Sequence, residues 1–303
     1  MKRILLLFIT CIGFSTLSFG QQDPLYAQYI LNPLVINPAY AGLNNNFNAA
    51  ISYRSQWGGF DGNPTTFNIN GHISLVDNKV GAGLLIVQDK IGNVTNTEFQ
   101  AVGSYKLQLE DKVFSFGMQA GVINFKSNAS NLNLADPGDP AFSTNENLSK
   151  PNIGAGAAIK SEKFFVGLSV PRLLSTTFKS SAGEQFDLYN QHYYLFGSYV
   201  FTMGTRVRLK PAVLFKSVKG SPLSTDLNFN INFDQLYQAG VFTRNFNTYG
   251  LQLQALLKDQ FRLGYTFELP TGNSVGTQFN THEIMLGIKM SFFDFHDRSI
   301  SNF

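Results

Sequence analysis

The sequence predicts an all-β protein, a transmembrane outer-membrane barrel of about 14 antiparallel strands with short periplasmic turns and long extracellular loops. Three observations carry this. Only 14% of the 303 residues are charged while aromatics also reach 14%, with 29 Phe and 12 Tyr; ordinary soluble domains carry about a quarter charged residues. Apolar and polar residues alternate with period two in segments of about ten residues, repeated along the chain. The connections between these segments are short and long by turns. A net charge of +3 is too small to argue for nucleic acid.

The chain opens with an export signal over residues 1–20. Lys2 and Arg3 form a basic start, Ile4 to Leu17 an apolar run, and Ser18 and Gly20 the small residues before a cut at Gln21. Cleavage there would leave the charge balance near neutral and remove Cys11, the only cysteine, so no disulfide or thiol chemistry is expected. Residues 21–46 read as an extended, turn-rich segment, packed against the barrel or inside it. Pro24, Pro33 and Pro38 forbid a regular helix or a central strand there.

The barrel is expected over residues 47–293, followed by a tail over 294–303. Phe47, Ala49, Ile51 and Tyr53 alternate with Asn48, Ser52 and Arg54; Phe67, Ile69 and Ile73 with Asn68, Asn70, His72 and Ser74. Leu227, Phe229, Ile231 and Phe233 alternate in the same way with Asp226, Asn228, Asn230 and Asn232. Such a period fits a strand with two unlike faces and no helix. Strands are expected to begin near 47, 65, 80, 97, 112, 152, 164, 191, 205, 224, 236, 248, 260 and 281. Asp77-Asn78-Lys79, Glu110-Asp111-Lys112, Ser161-Glu162-Lys163, Met203-Gly204, Asp234-Gln235 and Lys258-Asp259-Gln260 read as tight hairpin turns. The opposite connections, 56–64, 89–96, 126–151, 171–190, 217–223 and 269–280, read as loops; only 245–247 is short. An even strand count with loops sorted by length in this way places both termini on the periplasmic side. A secreted β-sandwich also alternates, but would neither sort its loops nor carry so little charge outside.

The polar face then fills the lumen and the Phe, Leu, Ile and Val face meets lipid. Arg54, Arg206, Arg208, Lys210, Asp226, Arg262 and Glu283 are the lumenal charges of interest, either a lattice of ion pairs or a binding surface. Mixed signs argue against a strongly ion-selective pore. Trp57, Tyr53, Phe60 and Tyr40 are partner anchors or members of an aromatic girdle. His282 and Glu283 are strand neighbours on opposite faces, and His72, His192, His282 and His296 lack metal-ligand spacing. Asp136 and Asp139 fit a loop turn better than a calcium site. No nucleophile and base stand together, so no catalytic residue, metal or cofactor is expected.

Several blocks resemble one family. Gln22-Asp23-Pro24-Leu25-Tyr26-Ala27-Gln28-Tyr29-Ile30-Leu31-Asn32-Pro33 and Asn37-Pro38-Ala39-Tyr40-Ala41-Gly42 open the series. Tyr53-Arg54 with Gln56-Trp57, Gly62 with Pro64-Thr65-Thr66, Asp89-Lys90-Ile91-Gly92 and Asp139-Pro140 with Phe142 follow. Lys150-Pro151-Asn152, Val166-Gly167-Leu168-Ser169-Val170-Pro171, Leu209-Lys210-Pro211 and His282-Glu283-Ile284 complete it. Together they resemble the PorP/SprF family, outer-membrane proteins of the type IX secretion system of Bacteroidetes. The resemblance implies a fourteen-stranded barrel without catalytic residues. It also implies partners: outer-membrane lipids, other type IX components, and a secreted cargo protein with a C-terminal sorting domain, gliding adhesins among them. On this basis Asp23, Pro24, Tyr29, Asn32, Pro33, Asn37, Pro38, Tyr40, Trp57, Asp139, Pro140 and Phe142 are candidate partner contacts. A pore or transporter for a small solute is the alternative function.

Overall fold

Alternating side chains can satisfy every backbone group in a membrane only if the strands close on themselves. The computed structural model, which describes residues 27–128, 145–179, 185–271 and 279–297, shows that closure. Its first strands are β1 (Phe47–Ser55), β2 (Thr65–Leu75), β3 (Val80–Ile91), β4 (Val94–Leu109), β5 (Lys112–Ser127), β6 (Glu146–Lys160) and β7 (Phe164–Val170). After a small hairpin of β8 (Thr176–Lys179) and β9 (Gln185–Tyr189) come β10 (His192–Tyr199) and β11 (Phe201–Met203). The wall is completed by β12 (Val207–Val218), β13 (Ser224–Phe233), β14 (Tyr237–Arg244), β15 (Thr248–Leu257), β16 (Phe261–Pro270) and β17 (Thr281–Met290).

Every neighbouring pair is antiparallel. β1 closes on β17 from Phe47 opposite Met290 to Ser55 opposite His282. β10 and β11 meet β12 in one unbroken register, Ser198 opposite Ala212 and Phe201 opposite Leu209, so they are two pieces of one barrel strand interrupted at Val200. Counted in this way the molecule is a closed 14-strand antiparallel barrel. Ile69, Leu84, Phe116, Met118, Leu168, Phe229, Val241, Leu251 and Ile284 project outward and are exposed, as a lipid-facing belt requires.

The six tight turns expected from sequence join β2–β3, β4–β5, β6–β7, β11–β12, β13–β14 and β15–β16 on one rim. Asp77, Asn78, Glu110, Asp234, Gln235, Lys258 and Asp259 take positive φ there, which lets the chain reverse in a tight turn. On the other rim the connections expected at 89–96 and 126–151 are shorter than that, β4 starting at Val94 and β6 at Glu146. Between β3 and β4 no long loop exists: pairing continues to Ile91 opposite Val94, leaving only Gly92 and Asn93 in the turn. Asp89 and Lys90, which the sequence assigns to the loop, continue the strand. β4 and β5 have 16 residues each and β6 has 15, beyond the ~9–11 that span a bilayer. Within the 171–190 connection β8 pairs with β9.

The core lies inside the barrel. Residues 27–46 enter the lumen and form three single 3-10 turns, Gln28–Ile30, Pro33–Val35 and Pro38–Tyr40. Pro33 and Pro38 start two of them, where a missing N–H costs nothing, and the Asn37 side chain accepts from the Ala39 N–H at 2.9 Å. Tyr29, Ile30, Leu34, Ile36, Ala39, Tyr40, Ala41 and Leu43 are buried. They pack on inward-facing Leu85, Val87, Val102, Phe165, Phe196, Ala212 and Leu214. The segment is therefore a plug.

A plugged lumen with an ion-paired outer chamber

Wall side chains hold the plug by its main chain. The carbonyls of Ile36, Ala39 and Ala41 accept from Ser169 (2.6 Å), Ser115 (2.6 Å) and Ser104 (2.7 Å). Lys106 donates to the Gly42 carbonyl at 2.5 Å and to Ser74 Oγ at 2.7 Å, and Gln252 donates to the Ala27 carbonyl at 2.6 Å. The Gly42 N–H donates to His72 Nδ1 at 3.0 Å, and the Asn37 amide reaches the Ala157 carbonyl of β6 at 3.2 Å and the Leu168 carbonyl of β7 at 3.4 Å. The side chains among these contacts stand at inward positions of β2, β4, β5, β7 and β15, so alternation in the wall aims the polar face at the plug. Close approach needs glycine. A Cβ at Gly117 would strike the Pro38–Ala39 backbone, and one at Gly81 would strike the Ala41 carbonyl.

The plug runs from the short-turn rim, where residue 46 joins β1, inward to Ala27. There its N–H donates to Glu283 Oε2 at 3.0 Å, and Tyr29 OH accepts from Asn228 at 2.7 Å. Glu283 opens onto a second set of side chains near the long-loop end of the strands. Arg54 Nη2 lies 2.9 Å from Glu268 Oε2, and its Nε is 3.9 Å from Glu283 Oε2. Arg244 Nε is 3.1 Å from Asp226 Oδ2, and its Nη1 is 3.7 Å from the same Glu268 oxygen. Glu268 thus bridges two arginines on strands β1 and β14. On the opposite wall Arg172 Nη2 meets Glu98 Oε2 at 2.6 Å, and Gln100 donates to the other Glu98 oxygen at 2.9 Å. All these side chains are buried or nearly so. Mutual pairing is what allows charge at such depth.

The candidate lumenal charges separate into groups. Arg54, Asp226 and Glu283 join the outer chamber. Lys210 is buried and Arg208 and Arg262 are half-buried at the plug level, nearer the short turns. Arg206 corrects the expectation: it sits on the β11–β12 turn, its side chain 64% exposed and ion-paired to Asp234 of the next short turn. Strand parity carries a residue inward only while the strand lasts, and this one starts at Val207. The Arg206 guanidinium bonded to Asp234 holds that carboxyl below the usual carboxylate range.

Of the candidate partner contacts, Tyr29, Pro33, Asn37, Pro38 and Tyr40 are buried in the plug, and Asn32 is half-buried there. Their contacts are with the barrel itself. Trp57 is half-buried at the long-loop rim with φ of +56°, its N–H donating to Thr281 Oγ1 at 3.3 Å. Asp23, Pro24, Asp139, Pro140 and Phe142, with Asp136, lie outside the described residues. Sequence reasoning missed Arg172, the partner of Glu98, and Arg244, the partner of Asp226 and Glu268, and missed the apolar inward residues that receive the plug. The signal for the latter is visible: Leu84-Leu85-Ile86-Val87 and Val213-Leu214-Phe215 are continuous apolar runs, the mark of strands buried on both faces.

Among solved structures, the chain is similar to a monoaromatic hydrocarbon channel, CymD. The TM-score is 0.52 at 9% identity, covering 90% of this chain and 95% of that one. The toluene transporters TbuX of Ralstonia pickettii and TodX of P. putida each give a TM-score of 0.50, at 7% and 9% identity. Those alignments cover 84% and 86% of this chain and 92% and 94% of theirs. These likenesses show the barrel fold. No curated protein matches the sequence. The sequence matches the family described as type IX secretion system membrane protein PorP/SprF over residues 18–288, nearly all of it. The chain, a membrane barrel with its lumen plugged, belongs to the PorP/SprF family of type IX secretion system membrane proteins.

Proposed function

We propose that the protein is a non-enzymatic outer-membrane barrel that supports type IX secretion or surface anchoring of cargo bearing a C-terminal sorting domain, gliding adhesins included. The observation that carries this reading is the family match across residues 18–288, joined to a lumen filled by the chain's own residues 27–46. A barrel occupied in this way offers partners its rims and its outer wall. The candidate outer contacts are Trp57 and the loops around 126–151, with Asp139, Pro140 and Phe142, and around 171–190; long loops on a rigid scaffold commonly carry function. Asp23 and Pro24 are the proposed contacts ahead of the plug, in a chain exported by a cleavable signal.

Quantitative proteomics of the cell surface and culture fluid in a strain lacking the gene tests the reading. Loss or shedding of one or a few sorting-domain proteins is expected of a cargo-specific partner, and loss of all of them of a shared component. An unchanged set would remove the secretion role. The second reading, a pore or transporter for a small solute, is favoured by one observation, the likeness to barrels described as channels and transporters. It requires discrete conductance and cargo secretion indifferent to the gene's loss.

A further inference from the structure

A small cavity lies on the seam between plug and wall, with Asn32, Tyr40 and Asn44 on the plug side and His72, Asn48 and Arg262 on the wall side. Its volume of about 20 Å³ suits one small ion or water. The polar groups bordering it are unusual in kind. Gly42 N–H donates to His72 Nδ1, which fixes the tautomer and leaves the proton on Nε2; nothing among the described residues accepts it. Tyr40 OH already accepts from Asn44 Nδ2 at 2.8 Å, so its own proton is available to donate. The Arg262 guanidinium makes no hydrogen bond or ion pair with any described residue. Lys160, Lys210 and Lys289 all lie within electrostatic reach of it. Donors and positive charge thus border the cavity from both sides, while Asn70 joins the wall side and Leu31, Ala49, Ala50, Met285 and Gly287 close the remainder.

We propose that this seam is a binding site for a small monovalent inorganic anion of chloride size, held by Arg262, His72 Nε2–H and Tyr40 O–H. The anion bridges plug to wall, supplying the acceptor that three donors lack. Neutral water satisfies the donors but leaves the guanidinium uncompensated, which is the physical reason to favour an anion.

The test uses the purified full chain in detergent. Crystals grown in bromide should show an anomalous peak between Arg262 and His72. In solution, with gluconate as the background anion, chloride NMR line broadening should be saturable and competed by bromide. Arg262→Gln should weaken this binding at least about tenfold, the scale of a lost charge-assisted hydrogen bond, while Arg262→Lys retains part of it. Heat-modified gel migration checks that each variant is folded, and the wild-type bromide peak stands independently of any variant. A cavity without bromide overturns the proposal. So does broadening that Arg262→Gln leaves unchanged. A peak without saturable solution binding reduces the site to binding at crystal concentration only, and overturns it as well.

Discussion

The two halves of the lumen are filled by different physics. On the short-turn side the plug is fitted by shape and main-chain hydrogen bonds: serine hydroxyls cap its carbonyls, and Gly117 and Gly81 let backbone meet backbone. On the long-loop side space is closed by the paired side chains of Arg54, Glu268, Arg244, Asp226 and Glu283. Neutral hydrogen bonds to a backbone are individually modest and numerous, so their loss is graded. A shared buried carboxylate is different, since its removal strands two cations together. The plug half should therefore tolerate single changes that the outer half does not.

The sharpest way to break this comparison is Glu268→Ala. It leaves Arg54 and Arg244 buried without their common partner, and about 3–5 kcal/mol of stability should be lost, read by urea unfolding in detergent. A cost equal to that of a single serine would show that the network is solvated after all. Next in size is Gly117→Ala, whose methyl meets the Pro38–Ala39 backbone; overpacking of this kind costs about 1–3 kcal/mol. Limited proteolysis should then cut within residues 27–46 while the barrel stays intact. Asn37→Ala removes the 3-10 cap and the bonds to the Ala157 and Leu168 carbonyls, for a loss of about 1–2 kcal/mol in the same unfolding assay.

The smallest effect belongs to the rim. Arg206→Ala should change unfolding at neutral pH less than any of these, because the pair it makes with Asp234 is exposed. Its signature is in titration. The Asp234 carboxyl sits below its ordinary value chiefly through the Arg206 hydrogen bond. The pair's contribution is thus present above the ordinary carboxylate range and fades as pH falls through the lowered value. In Arg206→Ala the carboxyl should titrate higher, at the ordinary position, by carbon-detected NMR.

How far these halves were legible in the sequence follows from period two. Alternation names the face but not the neighbour, so Arg54, Asp226 and Glu283 were legible as inward while their pairing across β1, β13, β14, β16 and β17 was not. Hairpin turns were legible because positive φ selects Asn, Asp and Gly locally. The β3–β4 connection was misread because Asp89 and Lys90 are polar on both faces near the end of the strand. Arg206 was misplaced inward for a related reason: parity runs on in sequence beyond the last paired residue. The plug was legible as an irregular, proline-paced segment, but its seat was hidden, because Leu85, Phe165 and Phe196 face inward where polar residues were expected.

We propose that this barrel works as a plugged support and not as an open pore. Planar-bilayer recording of the purified wild-type barrel beside a variant lacking residues 27–46 tests it most directly. The account requires a silent wild type and discrete conductance steps once the plug is gone. Stable steps from the wild type, at low voltage and unaltered by removing the plug, would contradict it.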